Sequence, residues 1–357
     1  NIRGFDVSAA DIAVNGMYGL APYGHVPVEF AERVEVLRGP SALLTGITPD
    51  GSVGGLINLV PKRAGDKPQT TVTADYTSGS QVGGHVDAGR RFGADNQFGA
   101  RVNAVHREGE TGVGEQEKGR DFASLALDYR GDRLRLSFDG YMSREEFANG
   151  SPFNAQVAES IPAPPASDTN MVPGLYGMQE YQTGVARAEY DFNQHLTGYA
   201  SFGVLTGHQS GYITSTHVTG IDLAGAGTGY SVFRNEFLDS VSSEVGLRAN
   251  FATGDVGHEV VVGATQLEQA TGFSYIRASF PTNIYAPAQT VLSAVSGDPP
   301  TQEKRTLTSV AIADTLSFLD DKVQATLGMR RQQVDVTSYD NAGVQSGAYD
   351  EFAFTPA

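Results

Sequence analysis

Consecutive runs of strictly alternating apolar and polar residues, each of strand length and joined by tight turns, constrain this chain more than any other feature. From Asp121 to Arg130, Ala123, Leu125, Leu127 and Tyr129 share one face while Ser124, Asp128 and Arg130 share the other. After Gly131-Asp132, Leu134, Leu136, Phe138 and Met142 oppose Arg133, Arg135, Ser137, Asp139 and Tyr141. Val323, Ala325, Leu327 and Met329 against Gln324, Thr326 and Arg330 repeat the pattern. Period-two alternation is the signature of a strand with two unlike faces, and Gly-Asp between two such runs is a hairpin signal. One face carries charge that a dry core would not tolerate without partners, whereas a polar lumen would.

A soluble sandwich shows the same alternation, so the connections decide. From Thr70 onward the pattern gives about eleven strands. Their connections are short at Gly93–Gln97, Gly131-Asp132, Asn193–His195, Thr253–Gly257 and Asp320–Lys322. They are mostly long at Glu108–Gly119, Glu145–Glu180, Gly207–Arg234, Thr271–Gln302 and Tyr339–Asp350. Short turns on one edge and long loops on the other mark an outer-membrane barrel. No run of 18 apolar residues offers a transmembrane helix, and a barrel needs none.

Composition points the same way. The 357 residues include 43 glycines and no cysteine, which excludes disulfides and thiolate metal sites. A net charge of −16 argues against a nucleic-acid partner. There is no HExxH, GxSxG, Walker or GxGxxG pattern. The seven histidines are scattered, with only His208 and His217 sharing a loop, and the pairs Glu145-Glu146 and Asp320-Asp321 read as solvated charge. The chain is therefore read as a non-enzyme. Ile161 to Ala166, IPAPPA, reads as a stiff spacer within a long loop.

The N-terminal part is built differently. In Glu32–Arg63, ERVEVLRGPSALLTGITPDGSVGGLINLVPKR, Val34, Val36 and Leu37 form a strand that Gly39-Pro40 stops. A helical turn is expected over Ser41–Leu44 with Ser41 as its cap. Leu56 to Val60 reads as a buried strand entered through Gly51, Gly54 and Gly55. A strand rather than a helix follows the glycines, so a phosphate-cradling loop is not expected.

This stretch resembles the second half of the plug domain of TonB-dependent outer-membrane receptors, the siderophore branch in particular. Asn1 to Phe5 is similar to the family's IRGF element, Val14-Asn15-Gly16 to its turn before the apical loop, Arg33–Pro40 to ERVEVLRGP and Gly51–Arg63 to GGLINLVPKR. Ala311–Arg331 resembles a strand–turn–strand unit of siderophore-receptor barrels. The expected fold is mainly β: a transmembrane antiparallel β-barrel, about half of the roughly 22 strands of such plugged transporters, with an α+β plug inside the lumen. Residues 1–66 are assigned to the plug and 67–357 to the barrel, and the chain is expected to be a fragment at both ends.

The resemblance implies import of a ferric siderophore bound at the extracellular face, energised through the TonB–ExbB–ExbD complex, with outer-membrane lipid around the barrel. No cofactor or protein-held metal is implied, because the siderophore already saturates its iron. Within the apical segment Met17–His25, MYGLAPYGH, the expected ligand residues are Met17, Tyr18 and Tyr23. Tyr176 and Tyr212, then Tyr275 and Tyr285, are barrel-loop candidates that serve equally as interfacial aromatics. The lack of tryptophan departs from many siderophore pockets. Arg3 and Arg38 are expected to couple plug to barrel by pairing with glutamates late in the barrel. The alternatives are a passive pore or adhesin barrel, or an importer of cobalamin or a carbohydrate.

Overall fold

A computed structural model describes residues 2, 4–38, 46, 48–77, 79–319 and 322–356. Three short strands, β1 (Ile12–Val14), β2 (Ala31–Arg38) and β3 (Gly55–Pro61), form a small sheet in the order β1-β3-β2. β1 runs parallel to β3, and β2 runs antiparallel to it. Gly55 is required where β3 begins: its φ is +143°, and a Cβ there would lie 2.1 Å from the Leu37 carbonyl oxygen across the pair. Among the described residues the unit's only helical element is one 3-10 turn, Ala9–Asp11. The helical turn expected at Ser41–Leu44 lies outside the described residues.

Asp11 explains how a unit with so little regular structure keeps its shape. Its fully buried carboxylate accepts from the backbone N–H groups of Asp50 (2.7 Å) and Ser52 (3.0 Å) and from the Ser52 hydroxyl. A buried carboxylate holding three donors pins the loop before β3 to the turn before β1. The Asn15-Gly16 dipeptide after β1 has φ of +53° and +83°, and Val14 and Met17 exchange both backbone hydrogen bonds. Two positive φ values in a two-residue turn are what Asn-Gly favours.

The second sheet is an antiparallel meander of twelve strands: β4 (Gln69–Thr77), β5 (Gln81–Phe92), β6 (Phe98–Glu110), β7 (Glu117–Arg130), β8 (Leu134–Ala148), β10 (Gly177–Asn193), β11 (Leu196–Gly211), β13 (Ala226–Thr253), β14 (Val256–Asn283), β15 (Thr301–Phe318), β16 (Val323–Tyr339) and β17 (Gln345–Pro356). It is not closed, and β4 and β17 are its edges. Two short strands sit off this path: β12 (His217–Ile221) pairs with β13, and β9 (Asn154–Val157) pairs parallel with β12.

Two sequence expectations about connections need correction. The segment 207–234, read as a long loop, is largely strand, and the loop read over 271–302 narrows to 284–300, because β13 and β14 each run 28 residues. A tilted membrane strand needs about 9–11 residues, so this hairpin stands well clear of the bilayer. The last strand starts at Gln345, so the connection expected over Tyr339–Asp350 is only a tight turn after Tyr339.

The outer face carries Leu125, Leu127, Leu136, Phe138, Met142, Phe202, Val204, Val241, Val245, Leu247, Val310, Ile312, Leu327 and Met329, all exposed. Large apolar side chains in one continuous exposed band belong in lipid. At its short-turn end Phe92, Phe98 and Tyr129 stack in series, with centroids 5.7 and 5.1 Å apart. At the other end the register places His106, Asp121, Arg144 and Glu180 in a row across β6, β7, β8 and β10. That row marks where the apolar band stops.

The inner face is not purely polar. Val105, Phe122, Tyr141, Tyr181, Val185, Leu205 and Leu238 of the large sheet form one buried cluster with Val14, Met17, Leu20, Ala21, Phe30 and Leu59 of the small unit. Leu267 and Leu307 form another with Ala13, Tyr18 and Leu56. The inner face is polar as expected, with Asp87, Arg101, Asn103, Arg120 and Asp139 buried on it, but it also carries an apolar seam along which the small unit is packed.

Candidate functional site

Residues 16 to 28 rise from the Asn15-Gly16 turn and form the apex of the small unit against the inner wall. Leu20 is wholly buried, and its carbonyl accepts from the Tyr141 hydroxyl (2.6 Å) and the Thr183 hydroxyl (3.3 Å). Gly24 lets the wall come close, since a Cβ there would lie 2.0 Å from the Gln179 side-chain oxygen. Met17 and Tyr18, two of the expected ligand residues, lie in the two buried clusters beneath this point. Beside Tyr18 is a void of about 50 Å³, bordered by Glu244, Thr265, Leu267, Ser309 and Gln332, with room for a few waters.

Tyr23 and His25 occupy the upper surface of the apex. Tyr23 is half-buried; burial and the nearby Asp50 carboxylate push its pKa up to about 12, so it remains a neutral phenol. His25 has half its side chain exposed, and its Nδ1 meets Glu145 of β8. Glu145 also contacts Lys118 Nζ at 3.3 Å and Arg120 Nε at 3.2 Å. Arg120 in turn donates twice to Glu29, at 2.8 and 2.7 Å. Of these groups Lys118 and Glu145 line a cavity of about 450 Å³, together with Phe147, Phe153, Met171 and Gln179. Its mixture of two aromatic rings, a thioether, an amide and opposite charges suits a bulky polar ligand.

The Glu29–Arg120 tie carries a pH dependence. Burial alone would raise the Glu29 pKa, but the paired hydrogen bonds and charge of Arg120 win and hold it below its ordinary 4.5. A lowered carboxylate pKa means docking free energy that is fully present above the ordinary value and lost as pH falls through the folded one. Protease resistance of residues 1–64 is expected to hold near neutral pH and to fall in acid below 4.5. Glu29→Gln should be less resistant at neutral pH and should show a smaller acid loss. An acid profile identical to that of the unmodified protein would rule this tie out as a contributor.

Above the cavity the connections between strands form a packed cap. Tyr212, 1% exposed, packs with Val172, Leu175 and Phe233. Its hydroxyl donates to the Ser293 carbonyl (2.7 Å) and accepts from the Ser293 N–H (2.8 Å). Tyr212 was expected to face outward from a loop, and its burial corrects that. Tyr176, 45% exposed, stacks edge-on against Tyr212 with centroids 5.6 Å apart. Tyr275 and Tyr285 are also exposed, the latter donating to the Ala163 carbonyl at 2.8 Å.

The small unit is tied to the wall below the apex as well. Lys62 Nζ lies 2.8 Å from Asp87, which also receives Arg101 in a two-pronged contact at 2.7 and 2.8 Å. Arg63 makes a two-pronged contact with Asp139, whose second oxygen also accepts from Asn15 Nδ2 at 2.9 Å. Arg305 of β15 donates to the Pro49 carbonyl and lies 3.1 Å from Asp50. Sequence reasoning missed Lys62, Arg63, Glu29 and Asp50 in this role. Lys62 and Arg63 had a local signal, since they are two adjacent cations directly after a buried strand.

Of the two arginines expected to do this work, Arg3 lies outside the described residues. Arg38 is exposed at the end of β2 and makes no ion pair among the described residues.

Two family profiles match the sequence. The TonB-dependent receptor-like β-barrel profile covers residues 120–357, and the TonB-dependent receptor plug-domain profile covers residues 1–55. The chain belongs to the TonB-dependent receptor family. Its small unit is the plug, its large sheet is barrel wall, and the apolar band is the lipid-facing surface of an outer-membrane protein. The family is one of receptors and transporters rather than enzymes. A ferrichrome receptor of Yersinia enterocolitica is 39% identical over 99% of this chain and 48% of its own length. The ferrichrome outer-membrane transporter and phage receptor of Escherichia coli K12 is 24% identical over 91% of this chain and 47% of its own. The chain thus spans about half the length of these curated relatives. Among solved structures, the ferric preacinetobactin receptor of Acinetobacter baumannii superposes with a TM-score of 0.88 at 35% identity, covering 99% of this chain and 54% of that one. The ferripyoverdine receptor of Pseudomonas aeruginosa superposes at 0.79 with 16% identity, covering 99% of this chain and 50% of that one, a likeness of fold alone.

Proposed function

We propose that this chain is the plug and about half the barrel of a receptor that binds a ferric siderophore of the ferrichrome kind at the extracellular face. Import would then be driven by the TonB–ExbB–ExbD complex acting on the plug. The plug is taken as residues 1–66 and the barrel as 67–357, with the change of sheet falling between Pro61 and Gln69. The observation that carries the reading is the cavity under the cap, whose Glu145 meets His25 of the apex and whose Gln179 faces Gly24, in a chain similar to a ferrichrome receptor. The iron arrives as cargo, already coordinated. Tyr23 would supply a phenol that stays protonated and donates, His25 a ring nitrogen, and Phe147, Phe153 and the exposed Tyr176 apolar faces. A passive pore is disfavoured because the plug sits against this wall along an apolar seam and buried ion pairs.

The test is ferric ferrichrome binding to outer membranes carrying the full-length receptor, and uptake by cells with and without TonB. Binding is expected in both and uptake only with TonB. Tyr23→Ala is expected to weaken binding by about 1–3 kcal/mol, the loss typical of removing one aromatic anchor. Full-affinity binding by Tyr23→Ala would remove the apex from the site, and no ferrichrome binding at all would sink the substrate assignment.

A further inference from the structure

One carboxylate on the wall decides the charge of the cavity beneath the cap. Glu145 of β8, its side chain 14% exposed, gathers three basic side chains, Lys118, Arg120 and His25. Burial alone would raise its pKa, but the His25 and Lys118 contacts hold it below its ordinary 4.5, so it is ionised at neutral pH. Arg120 is already matched by Glu29, which leaves Lys118 as the cation that depends on Glu145. Lys118 is also the one cation among the described residues that line the cavity, and nearly half of its side chain is exposed. The second carboxylate of that lining, Glu146, shares Arg144 with Glu180, at 3.1 and 3.0 Å. The other polar groups of the lining are neutral, among them the side-chain amides of Gln116, Asn170 and Gln179. The cavity can therefore meet a ligand's polar surface, and it holds no positive charge in excess.

That balance sorts iron complexes by charge. Three hydroxamates around Fe(III) bring one negative charge each and leave the complex neutral, whereas three catecholates bring two each and leave a trianion. A trianion would enter beside Glu145 and Glu146 with no spare cation to meet it, and unpaired charge in a confined space is costly. We propose that Glu145 is a specificity-determining residue: by cancelling Lys118 it makes the cavity accept a neutral ferric complex and turn away a polyanionic one. This deepens the siderophore reading above and rests on it. Selection of this kind comes from a penalty set against the wrong ligand. With Glu145 gone, Lys118 faces the cavity unopposed and the same walls admit the anion.

Binding to the full-length receptor in outer membranes tests this. The probes are ferric ferrichrome and the ferric tricatecholate and trihydroxamate of one synthetic tripodal scaffold, which differ mainly in charge. The unmodified receptor is expected to bind the tricatecholate complex at least about tenfold more weakly than the trihydroxamate complex. Glu145→Gln should strengthen tricatecholate binding at least about tenfold, with a gain that shrinks as salt is added. Glu145→Asp keeps the charge and should show no gain. Adding Lys118→Gln to Glu145→Gln should abolish the gain, which a mere enlargement of the cavity would not do. Gln116→Lys reaches the same excess of charge with every contact of Glu145 intact, and should bring a like gain. The proposal is overturned if the unmodified receptor prefers the tricatecholate complex, if Glu145→Gln and Gln116→Lys leave that complex no better bound, or if the gain survives in the double variant. A receptor that binds no ferrichrome, yet gains the tricatecholate complex on Glu145→Gln, would count against the ferrichrome assignment while upholding the role of Glu145.

Discussion

Replacing Asp139 by alanine in the full-length receptor is expected to loosen the plug by on the order of 3 kcal/mol. Asp139 is 7% exposed and receives both arms of Arg63 together with Asn15 Nδ2, so one carboxylate joins the turn before the apex to the plug's exit. Breaking a buried pair from one side costs about 3–5 kcal/mol, because the remaining charge loses its partner without regaining water. Arg63 keeps a quarter of its side chain accessible, which places the loss at the lower end. Asp139→Asn should cost less, since its carbonyl still accepts from Asn15. The measurement is the urea concentration at which protease first cuts residues 12–64, compared with the midpoint for barrel unfolding. A plug that loosens in neither variant would mean that charge pairing with Asp139 is not what holds it.

What the sequence made legible is what its local patterns determine. Alternation at Leu125–Tyr129 and Leu134–Phe138 places those residues on the lipid face without reference to distant parts, because a strand's two faces follow from its period. The Asn15-Gly16 turn was legible for the same reason, as its left-handed φ values are a property of that dipeptide. The reach of β13 and β14 was not. Above the lipid their outward residues become polar, and Gly227, Thr228 and Gly229 carry the composition of a loop while cross-strand hydrogen bonds keep them in a ladder. The plug-to-wall ties were hidden because their partners are far apart in the chain: Asn15 and Asp139 are separated by 124 residues and Arg63 and Asp139 by 76. Lys62 and Arg63 were visible as charges beside a strand, but nothing local says that their destination is a buried carboxylate rather than water. The same limit misplaced Met17 and Tyr18, whose aromatic and thioether character fits a ligand site as well as the dry seam they occupy.

Tyr212 shows how far that ambiguity extends, and its substitution is expected to have the other large effect. The sequence Gly211-Tyr212-Ile213-Thr214 reads as an exposed loop tip. In the fold, however, Tyr212 is the largest of the fully buried side chains. Its ring meets Phe233 edge-on at 5.4 Å, and its hydroxyl closes a reciprocal pair with the Ser293 backbone, 81 residues away. Tyr212→Ala removes a ring of the size whose loss from a core costs about 3–5 kcal/mol, and it takes the partner from a half-buried backbone donor and acceptor at Ser293. The cap should then come apart locally while the barrel wall below it stays intact, because β11 and β13 remain paired along the membrane. Tyr212→Phe separates the two contributions: it keeps the ring and loses only the hydroxyl, for about 1–3 kcal/mol. The readout is hydrogen exchange at residues 212–218 and 290–295 set beside ferric ferrichrome affinity. Because no face of Tyr212 is open to the cavity, the phenylalanine variant is expected to bind at close to full affinity with a modest rise in exchange. The alanine variant should lose affinity only in step with the loss of the cap. Weakened binding by Tyr212→Phe with exchange unchanged would mean that the hydroxyl reaches ligand directly, and would return this tyrosine to the binding site.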